Sequence, residues 1–319
     1  MTTTAPRPSA TTGSPVSRRG GAPRRPWLTY RRRDNLTGLL MVSPQLLGSA
    51  AFVIGPLVAV VWYSLHEWRV LANEFTFVGA GNYERLAADP GFHDSLRATG
   101  LFSVGLVVFN ISLALALAVM LDQKLRGTAV FRTLFFSPVV VTLVAWTIVW
   151  GFLLQDNGGI NAFLEVLGLD GPNWLRGEST SMLGVVVVQV LKNVGLNMVL
   201  FLAALQGVPE ELKEAARMDG AGPWRVFRSI TLALISPTIL LVSIITVVGS
   251  LQVFAQIAVL TQGGPGTSTT VLVYYLYQQA FQFKEFGYAS AVAVVLFGIV
   301  LVLTLIQWGL RRRFVFHES

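Results

Sequence analysis

The sequence predicts an all-α, polytopic membrane protein with six transmembrane helices. Three observations carry that prediction. The 319 residues are 53% hydrophobic and only 13% charged, far from the charge content of a soluble domain. Six apolar segments, at about 38–65, 96–121, 133–155, 181–205, 237–260 and 287–310, each come near the ~20 residues that cross a bilayer. Lys and Arg are unequally shared between alternate connecting segments, with eighteen on the side of the N-terminus and five on the other. The positive-inside rule then puts both termini and the 208–237 segment in the cytoplasm.

Composition excludes several classes of chemistry. There are no cysteines, so no disulfide, thiolate nucleophile or Cys-ligated metal is possible. The three histidines, His66, His93 and His317, are far apart in sequence, which argues against a histidine-rich metal site or relay. No catalytic motif is present, and no GxxxxGK[ST] loop, so the chain cannot supply a conventional ATP site of its own. The net charge of +7 sits largely at the ends, where it speaks of orientation rather than of nucleic acid.

Residues 1–35 are rich in Thr, Ser, Pro, Gly and Arg and read as a disordered basic tail. Its arginines suit a cytoplasmic N-terminus, with RNA or anionic lipid as the alternative. Arg18-Arg19 hints at twin-arginine export, but the next apolar stretch is distant, and long enough to remain as a span. Residues 36–319 form the six-helix domain. Its first outside loop contains Phe77-Val78-Gly79, Asn82-Tyr83 and Asp89-Pro90-Gly91-Phe92, and reads as a small helical cap. The segment from Asp156 to Trp174 is too short and broken to span; it reads as an interfacial helix with Trp174 at headgroup level.

Between spans four and five lies a polar island, VPEELKEAARMDGAGPWRVFRSITLALISP, from Val208 to Pro237. Pro209 suits the first turn of a short helix whose Leu212, Ala215 and Ala216 share an apolar face. Gly220 permits a positive-φ turn, and Asp219 is placed to cap the next helix or bond the loop backbone. Pro223 starts a second helix with Trp224, Phe227 and Ile230 on one side. A helix–Gly–helix pattern also suits DNA binding, but apolar spans on both sides leave no separate domain to reach a groove. The last outside loop, LTQGGPGTSTTVLVYYLYQQAF, opens on a turn at Gly263–Gly266.

Polar residues inside spans are costly in lipid and face the bundle interior. Gln189, Asn193 and Asn197 recur every four residues in span four, with Lys192 beside them, and Gln252 and Gln256 share that spacing in span five. Amides both donate and accept hydrogen bonds, and Trp146 and Trp150 offer flat faces to a ring. The alternative is that the amides join helices. Lys192 either meets an anionic substrate or pairs with backbone carbonyls. No Asp or Glu lies well inside a span, which counts against the rival reading of an ion-coupled secondary transporter.

Three of these motifs together resemble a known family. Glu214-Ala215-Ala216 with Asp219-Gly220-Ala221 is similar to the EAA loop of permease subunits of ATP-binding-cassette importers, although Ala233 stands where many members have Pro. The Phe77-to-Phe92 pattern, and Thr270 to Phe281 with Tyr274, Tyr275 and Tyr277, resemble the sugar-permease branch. The last run looks like an outer scoop or gate, though an aromatic belt explains its tyrosines equally well. The resemblance implies a type I importer permease fold in a bacterial plasma membrane, surrounded by lipid and carrying no cofactor. It implies a coupling role for Glu214, Ala215, Ala216, Asp219 and Gly220. It also implies two partner ATPase subunits that bind ATP and Mg, a second permease chain, and an extracytoplasmic substrate-binding protein. The cargo it implies is an oligosaccharide or related sugar, with glycerol 3-phosphate or a glycerophosphodiester as the alternative.

Overall fold

The computed structural model describes residues 27–69, 74–123 and 127–314. The predicted tail therefore lies outside the described residues as far as residue 26, as do Lys124 and Arg126. The chain divides into two compact units, residues 1–56 and 57–319. The first contains helix α1 (Trp27–Ser49), with Pro44 inside it, and a π turn over Ala50–Ile54. The sequence boundary at residue 35 thus falls inside a helix that begins eight residues earlier. Helix α2 (Gly55–Ser64) carries the chain into the second unit, and Thr37–Ser64 is long and apolar enough to cross a membrane.

After α2 the second unit contains a hairpin that the sequence did not predict. Strands β1 (His66–Arg69) and β2 (Glu74–Phe77) pair antiparallel, with His66 opposite Phe77 and Arg69 opposite Glu74. Aromatic cross-strand packing holds it: His66 stacks on Phe75 at 4.6 Å, and Trp68 meets Phe75 edge-on at 6.0 Å. Helix α3 (Gly81–Ala88) then leads into α4 (Pro90–Leu121). The third predicted span is two helices, α5 (Thr128–Val140) and α6 (Leu143–Leu153), bent by 105°. Short α7 (Gly159–Val166) precedes α8 (Ser181–Gln206).

After α8 come α9 (Glu210–Met218), α10 (Pro223–Val226), a π turn at Phe227–Thr231, α11 (Leu232–Leu234) and α12 (Ser236–Leu251). The stretches Pro223–Leu234 and Ser236–Leu251 meet at 66°. Then follow α13 (Ala255–Leu260), α14 (Leu272–Tyr277), a π turn at Gln278–Gln282 and α15 (Phe286–Phe314). Among the described residues four helices are long and apolar enough to span, and counting each bent pair as one span brings the number to six. The fifth apolar segment does not run straight to residue 260. It breaks at Phe254, whose φ of −139° is outside the helical range and sets its ring 5.1 Å from Tyr277.

Helix α8 is the centre of the second unit. More than half of its spanning window, 56%, is buried, against 22% for α4 and 17% for α15. Small residues allow the close approach. A Cβ on Gly195 would stand 1.9 Å from the Phe135 carbonyl oxygen, so α5 crosses α8 at bare backbone. Gly105 faces Val186, and Asn110 reaches Val190 and Asn197, so α4 and α8 run parallel. Ala114 and Ala118 of α4 and Val194, Met198 and Phe201 of α8 belong to one buried cluster. The 26 residues of α8 set its two ends about 39 Å apart.

Candidate functional site

The connection after α8 is built to stay open. Pro209 sits one residue ahead of α9 rather than in its first turn, and Glu210 and Glu211 supply the negative charge favoured at a helix start. The Ala221 N–H bonds the Ala216 carbonyl at 2.9 Å, and the Gly220 N–H bonds the Arg217 carbonyl at 3.0 Å. That bond pair with Gly220 at φ +82° is a Schellman stop, which a Cβ would strain. Gly220 has open space around it, so the requirement is of backbone shape and not of packing. Asp219 does not cap the second helix. It closes α9 through its N–H to Ala215, and the residue before α10 is Gly222.

Glu214, Ala215, Asp219 and Gly220 are exposed and Ala216 is half-buried. Met218 is 88% and Trp224 70% exposed, so the loop presents bulky apolar groups as well as charge. Glu214 makes no ion pair or hydrogen bond among the described residues. Glu210, which the sequence reading passed over, does: Lys213 reaches it at 3.0 Å and Arg217 at 3.3 Å. The hydrogen bond from Lys213 and the two positive charges hold its carboxyl below the usual range. The i,i+3 spacing of Glu210 and Lys213 was the signal in the sequence.

The intramembrane polar residues divide into two groups. Asn197 is buried and donates to Asn110, and it lies 3.4 Å from the Thr246 hydroxyl. Gln256 of α13 is buried and donates to Gln189 of α8. Lys192 donates to the carbonyls of Pro138, Val139 and Val141. Those carbonyls lie at the α5–α6 bend, where Val141 and Thr142 are extended and the i+4 donors are lost. Lys192 thus occupies the backbone-pairing role of its two sequence alternatives, with the Trp146 ring 5.9 Å away. Trp146 itself donates to the Val188 carbonyl at 3.0 Å. By contrast, half-buried Asn193 and exposed Gln252 make no hydrogen bond among the described residues.

At the other end of α8 the sequence motifs fold onto one another. Asn82 is buried and donates to the Ser64 and His66 carbonyls at 2.8 and 2.9 Å, and the Tyr83 hydroxyl meets that of Ser64 at 2.7 Å. Asp89 starts α4 by accepting from the Gly91 N–H at 2.9 Å, and also accepts from Tyr275 and from Tyr288 at 2.6 Å. Burial pushes its carboxyl up, but the two tyrosine hydroxyls, the Gly91 amide and the Arg85 charge outweigh this and hold it below the usual range. Arg85 in turn pairs with Glu285 at 2.7 Å and lies 4.3 Å over the Tyr288 ring. Tyr274 and Tyr275 are buried rather than spread in a surface belt, and burial pushes the Tyr275 hydroxyl well up. Between α6 and α8, α7 is present, and Trp174 donates to Asn161 at 2.7 Å.

Among the described residues, helices long and apolar enough to cross a membrane, two bent pairs with them, accompany an exposed helix–turn–helix. Residues 97–315 match the family described as binding-protein-dependent transport system inner membrane component, and the chain belongs to it. That membership sets aside the ion-coupled secondary transporter. The chain is 34% identical over 286 residues to the lactose transport system permease protein LacF of Rhizobium radiobacter, covering 88% of this chain and 95% of that one. It is 33% identical over 295 residues to the sn-glycerol-3-phosphate transport system permease protein UgpA of Pectobacterium atrosepticum, covering 92% and 96%. It shares its fold with a chain of a bacterial alginate ABC transporter solved in complex with alginate pentasaccharide-bound periplasmic protein. That match has a TM-score of 0.75 and 23% identity, and covers 90% of this chain and 97% of the other.

Proposed function

We propose that this chain moves a carbohydrate across the membrane as half of a translocation pathway, powered by ATP hydrolysis on a separate subunit. The observation that carries the coupling is the α9 turn. Its Schellman geometry is fixed from within, while Glu214, Ala215, Asp219 and Gly220 remain free to meet another surface. A small, alanine-lined helix of nine residues suits a groove in a partner ATPase. The helix is continuous with the central α8 through a short turn, so displacement of α9 acts on the most buried helix of the bundle. The loop and both termini lie in the cytoplasm, where ATP is, and a binding protein delivers the cargo at the opposite end. A second permease, a different chain, completes the pathway.

The lactose permease relative supports a sugar as cargo. The substrate path runs along the α8 stripe of Gln189, Lys192, Asn193 and Asn197 and past Gln252 and Gln256. Asn193 and Gln252 make no hydrogen bond among the described residues; the other four hold helices together and become available only if those contacts open. The glycerol phosphate relative supports the second cargo class. Lys192 is its natural phosphate partner, but that ammonium already serves three carbonyls, which favours the sugar.

The test is uptake and ATP hydrolysis in liposomes that contain the whole transporter, over a panel of sugars and sn-glycerol 3-phosphate. Gly220→Val is expected to abolish uptake while the transporter still assembles. Uptake that persists without ATP, or a wild-type rate in the variant, refutes the coupling assignment.

A further inference from the structure

At the α8 end remote from α9, a cleft of about 730 Å³ opens between the end of α6, the turn that follows it, the strand-free segment before α8, and α13. Its volume lies within the roughly 300–1,000 Å³ of small-molecule sites. One wall is apolar: Ile148 and Phe152 of α6, 44% and 65% exposed, and Val259 and Leu260 of α13. The other wall is polar, and includes Gln155, Asp156, Asn173, Arg176 and Gln262. From these features the geometry points to a carbohydrate-accepting vestibule in this chain, separate from the polar stripe deeper in the bundle. The assignment rests on the carbohydrate reading above.

Three features distinguish this wall from an ordinary surface loop. First, it is held in place by its own polar side chains. Asn173 donates to the Asp156 carboxylate at 3.1 Å and accepts from the Arg176 N–H at 2.8 Å, while Asn161 donates to the Asp156 carbonyl at 3.0 Å. Held this way, the Asp156 carboxylate keeps one oxygen free, and the Arg176 guanidinium has no ion pair among the described residues. Second, Gln262 sits at φ +52°, a left-handed conformation uncommon for a residue with a side chain, and strain of that kind gathers at ligand sites. Third, the wall helix α13 is the one whose Gln256 is tied to Gln189. The Gln256 Oε1 is buried and accepts no hydrogen bond among the described residues. The same short helix thus joins the cleft to the polar stripe.

A sugar chain presents apolar C–H faces and hydroxyl edges together. Phe152 offers a ring for the first, and Asp156, Arg176 and the amides offer acceptors and donors for the second. An alternative occupant of the same wall is the binding protein itself, which is large and would engage the rim.

The experiment uses the whole transporter in liposomes, with mono- to pentasaccharides and sn-glycerol 3-phosphate as probes. Phe152→Ala and Gln262→Ala remove exposed side chains and leave the helix packing intact. Each is expected to raise the KM for uptake of the transported sugar about tenfold, the effect of losing roughly 1.4 kcal/mol of contact. The rate at saturation and the affinity for sugar-free binding protein should stay at the wild-type level. An unchanged KM in both variants overturns the vestibule while the carbohydrate function stands. A matching loss of affinity for sugar-free binding protein also overturns it, and makes the wall a docking surface. Wild-type transport of sn-glycerol 3-phosphate but no saccharide refutes the carbohydrate reading, and the vestibule with it.

Discussion

Asp89 and Glu214 are carboxylates in two recognisable motifs at opposite ends of the bundle, and the structure treats them in opposite ways. Asp89 starts a helix, takes two tyrosine hydroxyls and an amide, and ties the α3–α4 corner to α14 and α15. Glu214 stands exposed on α9 and makes no hydrogen bond or ion pair among the described residues. The difference teaches how to read motifs in this chain. The one at Asp89 is satisfied from within and serves the fold. The one after α8 is unsatisfied and awaits a partner. Lys192 lies between: it is charged and intramembrane, yet committed to three backbone carbonyls.

This contrast can be broken by substitution. Lys192→Met should have the largest effect. It leaves the carbonyls of the α5–α6 bend without a donor in an apolar medium, at a cost of at least about 3 kcal/mol. Thermal unfolding of the purified subunit in detergent reads this as a marked drop in Tm, and an unchanged Tm would show that the bend holds without the ammonium. Asp89→Asn comes next, at about 2 kcal/mol, because hydrogen bonds to a charged acceptor are lost or weakened. Its sign with pH follows from the depressed carboxyl. The contribution is complete above the unfolded value of about 3.9 and is lost as pH falls through the folded value. Wild-type Tm should therefore hold steady from pH 7 to about 5 and decline below about 4, and the asparagine variant should flatten that decline. Glu214→Ala is the smallest: Tm should stay within measurement error, while ATP hydrolysis stimulated by substrate falls. A destabilised Glu214 variant would mean that the two ends do not differ as described.

Much of the architecture was legible because membrane helices advertise themselves. Apolar length gave the spans, and Gly220 was readable as a positive-φ stop because few other residues tolerate that conformation. The hairpin at His66–Phe77 was not legible: both strands are four residues long, and their pairing comes from ring stacking across the turn. The bend at Val140–Leu143 was signalled only by Pro138, which marks a disturbance but not an angle of 105°. Within the polar stripe, spacing placed Gln189, Asn193 and Asn197 on one side of α8. It did not show that Gln189 and Asn197 have hydrogen-bond partners on other elements and that Asn193 has none among the described residues.

The sequence by itself determined the class of fold, the number of apolar segments and the turn chemistry of the α9 loop. Each depends on hydrophobicity or backbone freedom summed along a short stretch. Only the tertiary structure decided which polar groups are bound and which are free. An intramembrane amide or ammonium must find its partner among residues dozens of positions away, and Lys192 with Pro138, or Gln256 with Gln189, meet only because α8 packs against neighbours from distant parts of the chain.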